Sequence, residues 1–574
     1  MLILLFGHPE MGRFLSGILR GFRCETLSNT CLMISREYSK TRFLIVDQNI
    51  KLRMAMEKDL KSFGAWFIDM AADADEAIEK CRQGLFDVVI CDYHLGIKNG
   101  QQVLEELRHT KLLRYTSLFV QISSDTTKEM VLNAIDNQPD AYITKPVTRT
   151  LLKQRLDSLL IDSEILYDIK HARDCGDASL AIALCQEKIR KHTKYRSWCL
   201  KTQAELHLEQ QAFEEAEACY REALHPRPLV WAKIGIAKVL IEKDDLEQAG
   251  QILKEIIRAS PNCLPAYDLY VHVLELQNRL KEALEILMTA VDTAPRSVRR
   301  QAQLGELCLR NHILDVALES FRNAVELGEY SIYDKASNHI HFAHCLNESS
   351  LGTEQALGDT RRHQAMDVLQ GAEQRFELKG EDRLHARLVK CRTVNGLNRH
   401  DEADALIAEA KMLYMKDWSR IRPDLKLEYA QTLFMLKDDD AAEMVLSQMQ
   451  MLHAHDKELM QRIEELREEP VSWHARAKAA ELNKEGIKMF EDGRIQDAVS
   501  ILKNALEYSS RHPALNLNLV QVLLKALENE TNPIEYLMIC HLCLDRLSHL
   551  REDHKQFPRY QHLKKKVNKL ETTA

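Results

Sequence analysis

No stretch of this sequence approaches the roughly 20 consecutive apolar residues that a helix needs to cross a bilayer, so no membrane role is expected. Aromatic residues make up only 6% of the chain, and 20 Gly and 13 Pro are few for 574 residues. That scarcity points away from a turn-rich β protein and towards helices. The formal charge is only −8. Nucleic acid as a main partner usually demands a clustered basic face, so it is not expected here. The 14 cysteines are scattered through helical patterns, unlike the dense framework of a small secreted domain. Reduced thiols and a cytoplasmic location are therefore expected. The opening run Met1–Phe6 lacks a basic segment and is short for a signal core.

What is present begins near residue 40. A chain of this length exceeds one core, with a prior of about three or four domains. Residues 1–37 have no clear period and are expected to form a weakly ordered extension, with Met33 as an alternative start. Phe43–Val46 is a short apolar run ending at Asp47. Val88–Cys91 ends at Asp92, Leu118–Ile122 at Ser123, and Ala141–Ile143 at Thr144-Lys145-Pro146. Amphipathic stretches lie between them, at Met54–Phe63, Ala74–Gln83 and Gln102–Arg108. Strands alternating with helices predict a doubly wound α/β domain with a parallel sheet covered on both faces. Such sheets place ligand sites beyond the carboxyl ends of their strands. Asp47, Asp92, Ser123 and Lys145 each stand at one of those ends.

Over roughly residues 40–160 these motifs resemble the CheY-like receiver domain of response regulators, which implies a five-stranded sheet. Asp92 matches the family's phosphoacceptor, and Gly100 follows it eight residues later. Ser123 matches the hydroxyl residue after the fourth strand. Lys145-Pro146 matches a Lys-Pro pair whose peptide bond is usually cis, and Tyr142 matches the aromatic switch position. The resemblance implies phosphoryl transfer to Asp92 from a sensor histidine kinase, with Ser123 and Lys145 stabilising the phosphoryl oxygens. It also implies Mg²⁺ held by Asp47, Asp92 and the backbone carbonyl of His94. No enzymatic activity is implied beyond phosphoryl uptake and autodephosphorylation. Two positions depart from the family pattern. Gln48 stands where a second acid is usual, which weakens the metal site, and Gly96 stands where Pro is common, which loosens the loop.

From about residue 165 the chain reads almost wholly helical. Ala216, Ala249, Ala283 and Ala317 recur at steps of 33, 34 and 34. Phe213, Leu246, Leu280 and Leu314 lie three before them, and Tyr220, Leu253, Leu287 and Phe321 four after. Ala204, Ala237, Val271 and Gly305 lie twelve before. This spacing resembles the tetratricopeptide repeat, a helix–turn–helix unit of 34 residues, most strongly over 196–330. A further good unit runs from Gly486 to Pro513, and weaker ones centre on Ala181, Ala403 and Ala442. Residues 331–385 drift from the pattern, as longer helices or as a loop. The expected division is an extension at 1–37, a receiver at 38–160, repeats at 161–345 and further helical repeats at 346–574, clearest near 480–525. About eight to ten units are expected.

Stacked helical repeats bind proteins or peptides in a groove, so an unidentified protein partner is expected for them. Cys540-His-Leu-Cys543 and the cluster His339, His341 and His344 are read as core or solvated residues, the histidines lacking the spacing of one helical face throughout. No helix-turn-helix or nucleotide-cyclase pattern follows residue 160. The layout resembles atypical response regulators of the VieB type, whose output would be protein contact. Two alternatives stay open: a phosphorylation-independent scaffold with a pseudo-receiver, and an inhibitor or phosphate sink acting on a sensor kinase. The surface holding Tyr142 and the fourth and fifth receiver helices is expected to adjoin the repeats through residues 147–165.

Overall fold

The computed structural model describes residues 38–124, 139–225, 228–351, 353–456, 459–460, 462–463, 466, 473–527, 533–547, 550 and 556–571. The expected N-terminal extension, and the segment 125–138 where a receiver would place its fourth helix, lie outside the described residues. By its contacts the chain divides into two compact units. One is Met1–Ser297 with Gly328–Tyr333, and the other is Val298–Leu327 with Asp334–Ala574.

The first unit opens with β1 (Arg42–Val46), α1 (Ile50–Phe63), β2 (Phe67–Ala71), α2 (Ala74–Gln83), β3 (Val88–Asp92), α3 (Gly100–His109), β4 (Leu118–Ser123), β5 (Ala141–Thr144) and α4 (Arg149–Ile165). All the strand pairs are parallel, in the order β2-β1-β3-β4-β5. Alternation along β1 assigns its side chains to two cores. Phe43 and Ile45 pack with Leu60 and Phe63 of α1 and Leu152 and Leu156 of α4. Leu44 and Val46 pack with Ile78 of α2 and Val103 and Leu104 of α3. Each such side chain contributes about 1.5–3 kcal/mol through burial. The strand that no apolar run announces is β2. It lies at the sheet edge, where Phe67 is exposed and only Ala71 is fully buried.

Helical pairs follow. In the first unit they are α5 (Tyr167–Asp174) with α6 (Ala178–Lys191), α7 (Arg196–Glu209) with α8 (Phe213–Ala223), α9 (Val230–Glu242) with α10 (Leu246–Ala259), and α11 (Leu264–Leu276) with α12 (Leu280–Thr293). The second unit holds α13 (Val298–Arg310) with all but the last residue of α14 (Leu314–Gly328), α15 (Ala336–Ser349) with α16 (Gln355–Arg375), α17 (Gly380–Gly396) with α18 (His400–Asp417), and α19 (Pro423–Met435) with α20 (Asp439–Leu452). Then come α21 (Trp473–Glu491), α22 (Ile495–Tyr508), α23 (Pro513–Ala526), α24 (Pro533–Arg546) and α25 (Phe557–Glu571). The drifting stretch after 331 is thus helical, and α16 is long at 21 residues.

One turn recurs inside these pairs. Gln211, Asp244, Asn278 and His312 are left-handed, with φ of 60°, 61°, 55° and 64°. In each case the next N–H donates five residues back: Ala212 to His207, Asp245 to Leu240, Arg279 to Leu274 and Ile313 to Cys308. This is the Schellman ending of a helix. Gly176, Asn398, Lys437 and Gly493 repeat it, with bonds from Asp177 to Ala172, Arg399 to Val394, Asp438 to Leu433 and Arg494 to Met489. The units that read weakly around Ala181, Ala403 and Ala442 therefore carry the same turn as the strong ones.

The signature residues pack as small against large. Ala216, Ala249, Ala283 and Ala317 are fully buried. A Cβ on Gly235 would fall 2.2 Å from the Tyr220 ring, and one on Gly305 would fall 2.7 Å from Phe321. Close approach of two helices needs such gaps.

Candidate functional site

The sheet order reverses between β1 and β3, so a crevice opens at their carboxyl ends. Asp47 follows β1 and Asp92 ends β3, and both are buried, at 2% and 6% exposure. The Lys145 ammonium, just after β5, donates to Asp92 Oδ2 at 2.9 Å and to Asp47 Oδ2 at 3.2 Å. Asp47 Oδ1 accepts the Asn49 N–H at 2.7 Å, and Asp92 Oδ1 accepts the Tyr93 N–H at 3.0 Å. The Lys145-Pro146 bond is cis. Ser123 is fully buried at the end of β4, one residue past Ile122, the register partner of Asp92. Tyr142 is half-buried on β5, opposite Gln121.

The electrostatics follow from this geometry. Burial pushes the Asp92 carboxyl above its ordinary value. The charge on Asp47 adds to that, while Lys145 and the Tyr93 N–H oppose it. Burial works against the Lys145 ammonium, but its bonds to Asp92 and Asp47 win and raise it. Two carboxylates facing one cation leave net negative charge in a confined place.

Backbone features that the sequence left unexplained also shape the pocket. A Cβ on Gly100 would fall 2.2 Å from the Asp92 carbonyl oxygen. The glycine eight residues after Asp92 therefore lets α3 start hard against β3. Asn99 and Gln102 close a capping box over that start. Arg53 on α1 donates to the carbonyl oxygens of Asp47 and Gln48, a role with no signal in composition or period. Gln48 is exposed, and its amide lies against Gly96, whose φ is +84°. Gly96 is thus held left-handed, more specific than a merely loose loop.

The donor set suits Mg²⁺. Asp47 and Asp92 offer two buried carboxylates whose mutual repulsion a dication would relieve, and the backbone carbonyl of His94 is the third oxygen that the receiver resemblance implies. Hard oxygen ligands with remaining positions open to water are what this ion prefers.

A second set of contacts joins this domain to the first repeat. Asp174, the last residue of α5, accepts the Tyr115 N–H at 2.6 Å, the Thr116 N–H at 3.1 Å and the Thr116 hydroxyl at 2.8 Å. The Arg173 guanidinium carbon lies 4.1 Å from the Tyr115 ring centroid. On α4, Asp162 accepts from Lys194 at 2.6 Å and from the Tyr195 hydroxyl at 2.7 Å. Tyr115 and Thr116 precede β4, so the Asp174 contacts lie at the end of the sheet opposite Ser123. Six residues of strand separate the two ends, about 20 Å. The Asp174 bonds thus fall away from Tyr142, whereas the Asp162 bonds fall on α4, within the stretch 147–165 through which the contact was expected.

Residues 43–157 match the response regulator receiver domain, and residues 201–262 match the tetratricopeptide repeat. The chemotaxis protein CheY-3 of Vibrio cholerae is 26% identical over 118 residues, 21% of this chain and 90% of that protein. The transcriptional regulatory protein DltR of Streptococcus agalactiae is 30% identical over 125 residues, 21% of this chain but only 54% of its own length. Among solved structures, a CheY-like receiver domain protein from Methanospirillum hungatei JF-1 shares 24% identity. It covers 22% of this chain and 96% of its own, with a TM-score of 0.20. MamA from Desulfovibrio magneticus RS-1 shares 21% identity over 28% of this chain and 92% of its own, with a TM-score of 0.25.

The α/β domain is a CheY-like receiver, a phosphoryl-accepting type of domain. The chain as a whole joins that response regulator receiver domain to tetratricopeptide repeats. Among the described residues no helix is long and apolar enough to cross a membrane.

Proposed function

We propose that this protein is a cytoplasmic two-component response regulator that takes a phosphoryl group on Asp92 and signals through protein contacts of its repeats. The observation that carries this reading is the Lys145 ammonium bridging Asp92 and Asp47 at 2.9 and 3.2 Å. A carboxylate nucleophile needs a cation facing the oxygens on which charge develops.

In the proposed reaction an Asp92 carboxylate oxygen attacks the phosphorus of a phosphohistidine on a sensor kinase. An O–P bond forms as the P–N bond breaks, and the imidazole leaves with the electron pair and takes up a proton. Lys145 moves from salt-bridging Asp92 to facing the phosphoryl oxygens, and Ser123 donates a hydrogen bond to one of them. Asp47, Asp92 and the His94 carbonyl would hold Mg²⁺, which neutralises charge on those oxygens. Gln48 offers only a neutral amide, so attraction for the ion is weaker than with a second acid there. Phosphorylation adds charge of roughly −1 to −2. Tyr142 then turns inward beside Ser123 and reports the change.

The test begins with a small phosphodonor and Mg²⁺. Wild type is expected to take up label, and Asp92→Asn is not. Equal labelling of both would overturn the acceptor assignment, and no labelling of wild type would favour a pseudo-receiver scaffold. Partner affinity measured with and without phosphate should differ about 5- to 150-fold, and Tyr142→Ala should shrink that ratio while uptake persists. A kinase whose transfer to another regulator falls when this protein is added would favour the phosphate-sink reading.

A further inference from the structure

Within the second unit, α15, α17 and α19 bring together a cluster of titratable side chains in the interior. It was not legible in sequence, because its members stand at 344, 385 and 428. Glu428 Oε2 lies 3.3 Å from His385 Nε2 and 3.7 Å from His344 Nδ1. The ligand atoms of the three residues all fall within 4.8 Å of one another. Two ligands at about 2.0–2.1 Å from a tetrahedral zinc ion are separated by about 3.4 Å, so the spacing suits one ion.

The cluster is also short of partners. Four buried polar atoms in it have no hydrogen bond among the described residues: His385 Nε2, Arg392 Nε, Arg392 Nη1 and Glu348 Oε2. His385 is 7% exposed and Arg392 is 3% exposed. Buried groups left unsatisfied are uncommon in folded proteins and often mark an ion or water. His385 Nε2 lies 3.3 Å from Glu428 Oε2 without a hydrogen bond to it. His344 Nδ1 accepts from Arg392 Nη2 at 3.2 Å, so its lone pair already faces the cluster.

We propose that His344 Nδ1, His385 Nε2 and the Glu428 carboxylate form a binding site for one divalent transition ion of the zinc class, which ties α15, α17 and α19 together. Two imidazoles and one carboxylate are a ligand set that such ions favour over Mg²⁺ or Ca²⁺.

The guanidinium of Arg392 is the competing cation. It donates to Glu428 Oε2 at 2.8 Å, where the ion would bind. A second acid stands beside it, with Glu348 Oε1 3.9 Å from Arg392 Nη1. Nη1 and the other oxygen of that carboxylate, Glu348 Oε2, are unpartnered. Metal entry therefore shifts Arg392 from Glu428 to Glu348, exchanging one ion pair for another. Without metal the charged side chains of the cluster carry one positive and two negative charges; with it, the excess becomes one positive.

The test uses the full-length protein, washed with a chelator and titrated with Co²⁺ and then Zn²⁺ alone. Wild type is expected to bind one equivalent, with the visible absorption of tetrahedral Co²⁺ and no sulfur-to-metal band. Its Tm should rise with metal concentration. His385→Asn and Glu428→Gln should lose the Co²⁺ absorption while circular dichroism keeps the helix signal. Glu348→Gln, which removes the acceptor for Arg392, should weaken binding by roughly 10- to 100-fold, as loss of an outer partner does. Absence of Co²⁺ binding by wild type would overturn the proposal, as would a thiolate spectrum or variants that bind like wild type. Should the variants unfold, paramagnetically shifted imidazole resonances in Co²⁺-loaded wild type decide the matter, and their absence counts against the site.

Discussion

The side-chain amide of Gln48 lies against Gly96, so close that a Cβ on the glycine would fall 2.6 Å from Nε2. Both residues depart from the receiver pattern, and the contact makes them one local arrangement. Gly96 has φ of +84°, which proline, fixed near −65°, does not reach. A loop with Pro at 96 would need a different backbone, and the Gln48 amide occupies the space above the one adopted here.

The metal site follows from that arrangement. Gln48→Asp shortens the side chain, lifts it from Gly96 and sets a second carboxylate beside Asp47. The expected result is Mg²⁺ binding tightened about 10-fold, which is about 1.4 kcal/mol. Asp47→Asn is expected to lose nearly all binding. Isothermal titration of the two variants checks this; unchanged affinity in both would mean that the residues after β1 do not reach the ion.

The Asp174 contacts yield a prediction about coupling. An acid in the last turn of a helix is disfavoured by the helix dipole, by about 0.3–1 kcal/mol. Its three bonds to Tyr115 and Thr116 offset that. Asp174→Ala should cost roughly 1.5–3 kcal/mol of receiver–repeat docking and expose the linker near 166 to protease. Phosphate uptake should persist, while the effect of phosphate on partner binding falls towards none. Retained coupling in this variant would show that the signal bypasses this contact.

The tight helix pairs can be probed at Gly235. An added methyl would meet the Tyr220 ring at 2.2 Å, and Tyr220 is 3% exposed, with little room to move. Gly235→Ala should destabilise by about 1–3 kcal/mol as overpacking does, against a helix-propensity gain of about 1 kcal/mol. Thermal melts of the single variant and of the pair with Tyr220→Leu separate the two effects. The smaller partner should restore stability.

Acid should weaken the second unit through its buried histidines. Burial lowers His341 to about 4 and His344 to about 3, whereas both titrate near 6.5 in an unfolded chain. Below pH 6.5 the unfolded state therefore takes up protons that the folded state refuses. Stability from these groups is full above pH 6.5 and falls as pH drops towards 3–4, with a slope of up to about 1.4 kcal/mol per pH unit for each histidine. Glu428 is also held below its ordinary value: burial opposes this, but its contacts with His385 and the Arg392 guanidinium outweigh it. It contributes in the same sense at lower pH. Melts of chelator-treated protein should show a slope that His344→Gln flattens, and a flat wild-type profile would contradict the account.

What sequence revealed and what it hid have physical causes. The strands ending at Asp47, Asp92, Ser123 and Lys145 were legible because buried parallel strands are continuous apolar runs. β2 was not, since at the sheet edge only part of it is covered. Ala216, Ala249 and Ala283 disclosed the repeat because close helix contact tolerates few residue types. The turns at Gln211, Asp244, Asn278 and His312 share a backbone shape and not a residue type, so the units with weak packing signatures were underread. Asp174 and Glu428 act through partners 58 and 43 residues away in sequence, which no local pattern encodes.

Only Leu166 separates α4 from α5. Helical residues turn by about 100° each, so the number of residues between the receiver core and Asp174 fixes the angular phase at which the repeats meet the domain. One residue inserted between Asp162 and Tyr167 would swing Asp174 by about 100°, away from Thr116. Insertion of seven, close to two whole turns, would return it to nearly the same bearing about 10 Å further along. The junction therefore works as a screw thread, in which each added residue turns Asp174 by about 100° and advances it by about 1.5 Å, and its contact with Thr116 needs both bearing and reach.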